Sequence, residues 1–408
     1  MENELKDHYG VLLGLTPPWR VEQVEVDVES RRVDLWVEYP KGQKGVCPEC
    51  GAVSPVHDRA NERTWRHLDT MQFETLIHCR VPRIRCAEHE VKTMKTPWAG
   101  RNSRFTLLFE AFAIAVLQSC STVSKAAVLL RLDWHCAQEI MRRGVERGLM
   151  RREAGDLPHI GMDEKNYGRK KVATVLNDMV GKRVWDLVPG CDHRAGIEAI
   201  NTLSEEVREG VLAACIDMSA AYRKAAREGL PHADIVHDRF HVSKLLGEAV
   251  DQVRRAEVKE LEGAELQMLK GSRFLWLTNE ENLSTKQKDR FQELKNGELK
   301  VGRAWAVKEA FRHFWSYRSL GWACRFFDRW VTWARSLKLA PVTRVAKTLE
   351  RHFEGLYNYI FHRITNARAE GFNSAIQSVL GNARGFRSFE TFRIAVLFRL
   401  GKLSMLPQ

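Results

Sequence analysis

Two short pairs of metal-binding side chains constrain the N-terminal part of this chain more than any other feature. Cys47 and Cys50 are separated by two residues, and so are Cys86 and His89. This spacing lets both side chains of a pair reach one ion from a tight turn, and four cysteine or histidine ligands suit tetrahedral Zn²⁺. Strand-like segments flank both pairs, so the sequence predicts a zinc ribbon with a structural zinc. The alternative is that the cysteines are ordinary buried thiols.

The other cysteines do not form a second framework. The chain has nine cysteines in 408 residues, an odd number that fits a reducing compartment better than a set of disulfides. Near the proposed ribbon, we interpret His57 as a surface residue and Cys79 as a core residue, and neither as a zinc ligand. The polar, acidic N-terminus does not resemble a signal peptide, so a cytoplasmic protein is expected.

The chain is basic. It contains 64 Lys and Arg residues against 52 Asp and Glu residues, a formal net charge of +12. A surplus of this size favours a polyanionic partner, either nucleic acid or an anionic membrane surface. No stretch approaches 18 uncharged apolar residues, so a membrane span is not expected. Apolar residues make up 44% of the chain, which predicts ordered globular domains.

A helical segment follows the cysteine-rich part. The pattern predicts helices at Phe105–Gln118, at Ser121–Leu130 with Ser121 or Thr122 as its cap, and, after a tight turn, at His135–Arg147. Two short helices with such a turn resemble a helix-turn-helix, and an ordinary helical bundle with solvated arginines is the alternative. Residues 101–155 contain nine Lys or Arg and five Asp or Glu, as a phosphate-facing surface would. The arginines expected to contact DNA are Arg142, Arg143 and Arg147.

Residues 159–240 change to an α/β pattern. Three apolar segments separated by polar turns are followed by a helix, a strand, a second helix and a fifth strand. This is the order of an RNase H-like domain, in which the first and fourth strands are neighbours. Asp163 lies in the first strand and Asp217 ends the fourth, so the two side chains are expected to meet. A later helix that carries Glu370 can cross behind them.

Three carboxylates at one place repel each other, which raises their pKa values unless cations are present. Two Mg²⁺ or Mn²⁺ ions resolve the repulsion, and such ions activate a nucleophile and stabilise the leaving oxygen in phosphoryl transfer. The sequence therefore predicts Asp163, Asp217 and Glu370 as catalytic ligands. Each residue taken singly also has an ordinary interpretation, as a turn residue, a helix cap or a solvated side chain.

Other polar residues compete for roles near these carboxylates. Glu164 is expected on the opposite face of its strand, because side chains alternate along a strand. Asp238 ends the fifth strand, and His241 follows it closely. We predict Asp238 and His241 as accessory residues, in catalysis, helix capping or DNA positioning.

These residues belong to motifs that run through nearly the whole chain. The sequence resembles DDE transposases of bacterial insertion sequences, specifically the ISL-three family, and the composite of motifs is more specific than any one of them. The motifs that carry the resemblance, in the order of that family, are CPECG, WRHLD, PRIRC, SRFT, GMDE, IDMSAAY, HDRFHVSKLL, AVDQVRR, VAKTL, NARAEGFNS and ARGFRSF.

The resemblance implies a multidomain α/β fold. It comprises a zinc ribbon, a helix-turn-helix and an RNase H-like catalytic core with an all-α insertion. It also places the structural zinc on the four Cys and His ligands and the catalytic magnesium on the three carboxylates. The expected domains are 1–98 for the N-terminal strands and ribbon, 99–155 for the helix-turn-helix, 156–241 and 364–408 for the two parts of the core, and 242–363 for the insertion.

Aromatic and basic residues near the C-terminal half carry two further expectations. Phe311, Trp315, Phe326, Trp330 and Trp333 lie three or four apart in two groups and form helical apolar stripes, with Trp305 and Trp322 in the same region. We interpret them as a helical core, and the alternative is a Trp that stacks on an unpaired base. The basic residues expected to contact DNA phosphates near the last carboxylate are Arg368, Arg384 and Arg387.

The resemblance implies a nucleoid-associated enzyme that binds the terminal inverted repeats of its element. It is expected to cut there to free 3′-OH groups and to join them to target DNA, as a homodimer or larger synaptic complex. Two alternatives share these features. One is a sequence-specific DNA-binding regulator with an inactive core, and the other is a structure-specific nuclease of the same fold.

Overall fold

A computed structural model describes residues 2–153, 155–364, 367–383 and 385–407, with side chains from residue 3 onwards and without those of residues 367–370. The chain divides into two compact units. Unit 1 comprises Met1–Arg152 with Leu403–Gln408, and unit 2 comprises Glu153–Lys402. None of the helices in the described ranges combines the length and apolarity that crossing a bilayer requires.

Unit 1 begins with a helix and two four-stranded sheets. One sheet has the strand order β1-β2-β6-β5 and buries Leu35, Trp65 and Ile77, and the other has the order β3-β4-β7-β8. These elements are α1 (Glu2–Leu12), β1 (Arg20–Asp27), β2 (Arg32–Glu38), β3 (Lys44–Val46), β4 (Val53–Arg59), β5 (Arg63–Thr70), β6 (Phe73–Cys79), β7 (Pro82–Cys86) and β8 (Glu90–Thr93).

Three helices complete unit 1: α2 (Leu107–Ser119), α3 (Val123–Leu130) and α4 (Trp134–Met150). The Thr122 hydroxyl accepts a hydrogen bond from the N–H of Lys125, so the predicted cap of α3 is confirmed at Thr122. Between α3 and α4, Arg131 adopts a left-handed conformation with φ of 52°. The predicted helix-turn-helix pattern is therefore present.

Helix α4 continues three residues beyond its predicted end. At Gly148 the helix lies directly against Leu403, because an added Cβ would be 2.6 Å from the Leu403 Cβ. Arg147 also donates a hydrogen bond to the carbonyl of Met405. The last turn of α4 is thus stabilised by the C-terminal segment, a contact that no local pattern can predict.

Unit 2 contains a five-stranded sheet in the order β11-β10-β9-β12-β13. Strands β9, β10 and β11 are antiparallel neighbours, whereas β12 pairs in parallel with both β9 and β13. The predicted adjacency of the first and fourth strands is confirmed. The strands are β9 (His159–Gly168), β10 (Lys171–Asp178), β11 (Arg183–Pro189), β12 (Ala213–Ile216) and β13 (Asp234–His237).

Three helices cover one face of this sheet: α5 (His193–Asn201), α6 (Glu205–Glu209) and α7 (Ala220–Gly229). The short helix α6 is an addition to the predicted order. Ile160, Ile200 and Tyr222 are fully buried between the strands and these helices. Strand residues of the opposite face, such as Cys215 and Val236, belong instead to the core of the helical part that follows.

The rest of unit 2 is helical in its described residues. The α-helices are α8 (Arg239–Glu260), α9 (Gly263–Leu269), α10 (Arg273–Leu277), α11 (Thr285–Asn296), α12 (Lys300–Phe311), α13 (Leu320–Ser336), α14 (Ala340–Arg351), α15 (Phe353–His362), α16 (Ala367–Ala383) and α17 (Phe389–Leu400), with 3-10 helices at Glu280–Asn282 and Arg312–Ser316. Phe311, Trp315 and Trp330 are buried in this core, as predicted, whereas Trp322 and Trp333 are exposed.

Candidate functional site

The four predicted zinc ligands lie together in the sheet of β3, β4, β7 and β8. Their ligand atoms are all within 4.8 Å of one another. The sulfur of Cys86 is 3.6 Å from that of Cys50 and 3.7 Å from Nδ1 of His89, and the sulfur of Cys47 is 4.0 Å from the same nitrogen. Three sulfurs and one imidazole around a common centre form a closed tetrahedral donor set, the kind that holds a structural zinc.

The local backbone explains this convergence. After β3, the chain turns at Gly51, whose φ of +76° is a left-handed conformation that glycine adopts without strain. The Gly51 N–H donates to the carbonyl of Cys47, and the Cys47 N–H donates to that of Ala52. In the second pair, the N–H groups of Glu88 and His89 help to lower the pKa of Cys86 to about 6, which favours the thiolate that zinc binds.

The two other candidates near this cluster do not belong to it. His57 is exposed and hydrogen-bonds the guanidinium of Arg85 at 2.8 Å. Cys79 is buried in the other sheet, where burial raises the pKa of its thiol to about 12. The interpretation of His57 as a surface residue and Cys79 as a core residue is confirmed.

Three aspartates share one register position, level with the carboxyl ends of β12 and β13 and within β9. Cys215 of β12 pairs with Gly161 on one side and with Val236 on the other. Two residues later, Asp217 is therefore level with Asp163 and with Asp238, on the same face of the sheet because side chains alternate. Besides burial, the negative charge of Asp163 contributes to raising the pKa of Asp217, as expected for neighbouring carboxylates.

Helix α16 docks on this end of the sheet. The side-chain amide of Asn373 donates a hydrogen bond of 2.6 Å to Oδ2 of Asp163, and Lys165 donates one of 3.1 Å to the Asn373 carbonyl. Glu370 lies three residues before Asn373 in the same helix, and positions three apart share a helix face. The side chains of Glu370 and Arg368 are outside the described residues.

The carboxylates differ in their surroundings. Burial raises the pKa of Asp217, and the N–H of Ser219, which donates to its Oδ1 at 2.8 Å, partly offsets this effect. His241 lies between two other carboxylates, with Nε2 3.8 Å from Oδ1 of Asp163 and 3.6 Å from Oδ2 of Asp238. Asp238 caps α8 by accepting from the N–H of Phe240. A cation placed among Asp163, Asp217 and Asp238 would therefore be stabilised by several negative groups.

Glu164, the neighbour of Asp163, is exposed. Its backbone N–H donates to Oδ1 of Asp163 at 2.8 Å. Asn373 and Lys165, by contrast, were not among the predicted site residues. Asn373 falls in the quoted motif NARAEGFNS, and its spacing of three from Glu370 was a signal that could have identified it.

The predicted DNA-contacting arginines of α4 have partners within unit 1. Arg142 forms ion pairs with Glu139 and Glu146 on its own helix. Arg143 and Arg147 both pair with Glu110 of α2, which is only 2% exposed. Each of these guanidinium groups thus already has a carboxylate partner within the protein. The contact of these arginines with DNA stays a prediction. Among the C-terminal arginines, Arg387 is exposed, and Arg384 is outside the described residues.

Glu110 is expected to stabilise the three-helix arrangement. The change Glu110→Gln removes a buried charge and leaves two partly buried guanidinium groups without their carboxylate. We expect the free energy of unfolding of unit 1 to fall by about 2–3 kcal/mol, as measured by urea unfolding. Glu139→Gln, which alters a partly exposed ion pair within α4, is the matched control and should cost about 0.5 kcal/mol or less. Equal losses for the two variants would contradict this assignment.

Unit 1 contains a zinc-ligand cluster and a helix-turn-helix, and the sheet of unit 2 brings carboxylates together. These are the features of a multidomain DNA-binding protein. Comparison with known protein families identifies the particular family. The model of a family described as "Transposase" matches residues 160–396. A model described as the zinc-finger of transposase IS204/IS1001/IS1096/IS1165 matches residues 43–89, and one described as the helix-turn-helix domain of transposase family ISL3 matches residues 94–145. The chain belongs to this transposase family, ISL3, the ISL-three family expected from its motifs.

Curated relatives agree along nearly their whole length. The chain is 25% identical over 391 residues to the transposase for insertion sequence element IS1001 of Bordetella parapertussis, which covers 94% of this chain and 96% of the relative. It is 26% identical over 435 residues to the transposase for insertion sequence element IS1557 of Mycobacterium tuberculosis, with 98% and 96% covered. The similarity therefore spans both units.

Proposed function

We propose that this protein is a DDE-type transposase that cuts DNA at the ends of its insertion sequence and joins the freed 3′-OH groups to target DNA. The observation that carries the proposal is the common register of Asp163 and Asp217, with α16, the helix of Glu370, held on Asp163 by Asn373. These three carboxylates are the proposed catalytic residues.

The core that holds them is proposed to be RNase H-like. The strand order β11-β10-β9-β12-β13, with three antiparallel strands followed by two parallel ones, supports this assignment. Within the same proposal, residues 156–241 and 364–408 form the core and residues 242–363 form the all-helical insertion. The N-terminal strands and zinc ribbon of residues 1–98 and the helix-turn-helix of residues 99–155 precede the core.

The carboxylates suit divalent cations. The partly buried carboxyl of Asp217 has a raised pKa, which indicates a place where additional positive charge is favourable. Asp163, Asp217 and Glu370 would hold two Mg²⁺ or Mn²⁺ ions, which supply activation of the nucleophile and stabilisation of the leaving oxygen when bound. Asn373 orients Asp163, and His241 positions Asp163 and Asp238. Asp238 and His241 are accessory residues in this proposal.

Unit 1 is proposed to recognise the terminal inverted repeats. The first residues of a recognition helix contact base edges in the major groove, and Trp134 and His135 at the start of α4 are exposed. Because both ends of the element must be joined, the active form is proposed to be a homodimer or a larger synaptic complex on the chromosome, in the nucleoid. The residues proposed to contact phosphates are Arg142, Arg143, Arg147, Arg368, Arg384 and Arg387.

A strand-transfer assay tests this function. Purified protein is incubated with Mg²⁺, oligonucleotide duplexes carrying the ends of the element, and plasmid target. We expect nicks at the end boundaries and covalent end–plasmid products. Binding without any cleavage would favour the regulator instead, and cleavage of branched DNA without joining would favour a structure-specific nuclease.

A further inference from the structure

The helices α13 and α14 carry an unusual share of the positive charge of the chain. Residues 318–351 contain eight lysine or arginine residues and two acidic residues, so these 34 residues hold half of the net charge of +12. All eight basic side chains are exposed. Of the two acidic residues, Glu350 pairs with Arg335, and Asp328 is exposed on α13. The surface is therefore strongly positive.

Two tryptophans lie on the solvent side of α13 among these charges. Trp322 is 61% exposed and Trp333 is 38% exposed. Eleven residues separate them, so their directions differ by only about 20° and their helical positions by about 16 Å. Arg325 and Arg329 lie between them, and the guanidinium of Arg325 is 5.1 Å from the Trp322 ring. The opposite side of the helix is buried in the core.

A basic groove adjoins the end of the same helix. It has a volume of about 500 Å³, and its lining includes Lys338, Arg344 and Lys347 along with Arg335 and Thr343. Arg335 is neutralised by Glu350. The three other cations form no ion pair with a described residue. The groove therefore has the chemistry of a site for phosphate groups.

The combination of aromatic rings and cations points to one class of partner. Exposed rings stack on bases, and cations beside them contact the phosphates, which is how proteins bind single-stranded nucleic acid. In a duplex the base faces are already stacked on each other and are not available to a Trp. A second copy of this chain is less suited, because its own net charge of +12 would repel this surface.

We propose that the exposed face of α13 and the adjoining groove bind an unpaired DNA strand. In this binding surface, Trp322 and Trp333 stack on bases, and Arg325 and Arg329 contact the phosphates next to those bases. The groove holds phosphates further along the strand. This inference rests on the proposed function only in its choice of DNA, since a transposase handles strands that are opened or cut at the ends of its element.

Binding of the full-length protein to an oligothymidylate and to a hairpin duplex of equal length, both followed by fluorescence anisotropy, tests this proposal. The double change Trp322→Ala and Trp333→Ala should weaken oligothymidylate binding roughly tenfold or more and leave duplex binding within about twofold. Replacing both by Phe should restore most of the affinity, because a Phe ring still stacks. The double change Arg325→Gln and Arg329→Gln should reduce the slope of log K against log salt by roughly 1.4, about 0.7 for each phosphate that the variant no longer neutralises.

Matched controls come from the same protein. Lys286 and Lys288 of α11 are exposed lysines in the same helical part, and changing both to Gln should leave oligothymidylate binding unchanged. Phe274→Ala, at an exposed ring of α10 outside this surface, is the control for the aromatic change. Unaltered oligothymidylate binding in the double Trp variant would overturn the proposal. So would an equal loss of duplex binding, or a change in sedimentation that shows the face to be a contact between copies.

Failure of this proposal is distinguishable from failure of the proposed function. End cleavage with Mg²⁺ is measured on the same preparations. If the protein cuts ends but the Trp changes do not alter its oligothymidylate binding, only the inference about α13 is overturned. A protein that binds oligothymidylate through this face but never cuts ends supports the inference and contradicts the proposed function.

Discussion

The change Asp163→Asn is expected to reduce cleavage at the ends of the element by at least about 10³-fold while leaving end binding intact. An amide has nearly the same shape as a carboxylate, but it lacks the negative charge needed to hold a divalent cation. Its oxygen can still accept the hydrogen bond from the N–H of Glu164, which the carboxylate takes on Oδ1. Its NH2 group replaces Oδ2 and can donate to the side-chain oxygen of Asn373 once that amide turns over, so both contacts persist. The fold is therefore retained, and the loss is specific to chemistry. Gel-based cleavage assays with end duplexes measure it, and mobility shifts measure binding.

Glu164→Gln is the matched control for this change. It removes the same charge from the adjacent position, whose side chain is exposed and alternates to the other face of β9. We expect the cleavage rate of this variant to stay within about threefold of that of the unaltered protein, because Glu164 is not one of the proposed cation ligands. Cleavage by the Asp163 variant in Mg²⁺, or an equal loss in the Glu164 variant, would show that the catalytic carboxylates are wrongly assigned.

Local spacing and strand alternation predicted much of this arrangement. Ligand pairs separated by two residues need only a tight turn, so the sequence alone indicated Cys47, Cys50, Cys86 and His89. The order of strands and helices was that of an RNase H-like domain, in which the first and fourth strands are neighbours, and β9 does pair with β12. The catalytic role of Asp163 and Asp217 nevertheless stays a prediction.

Contacts between distant segments could not be predicted in this way. Glu110 is 37 residues from Arg147, and Asn373 is 210 residues from Asp163. The spacing of residues within one helix does not indicate which charged side chain of a distant segment will be buried against it. The exposed Trp322, by contrast, could have been identified from spacing, because Phe327 and Trp330 define the buried side of α13 and Trp322 lies outside it.

Removal of zinc is expected to unfold the sheet of β3, β4, β7 and β8 while the sheet of unit 2 remains folded. Outside the metal ligands, the hydrophobic cluster of this sheet has one fully buried member among the described residues, Ile84, with Val56 and Met94 partly buried against it. A core this small cannot offset the conformational entropy of ordering the strands, which costs about 1–2 kcal/mol per residue. The apparent binding energy of a structural zinc, about 10–16 kcal/mol in small zinc-binding domains, is large enough to do so.

The change Cys47→Ser tests this dependence on metal. We expect one zinc per chain in the unaltered protein by elemental analysis, and none or a small fraction in the variant. Amide hydrogen exchange should lose its protection in β3, β4, β7 and β8 and keep it in β9–β13, because the two sheets have separate cores. Cys191→Ser, at an exposed cysteine of unit 2, is the control and should retain the full zinc content. Protection of β3, β4, β7 and β8 that persists in zinc-free protein would mean that packing alone holds this sheet. The four ligands would then be ordinary buried side chains rather than the stabilising element of the fold.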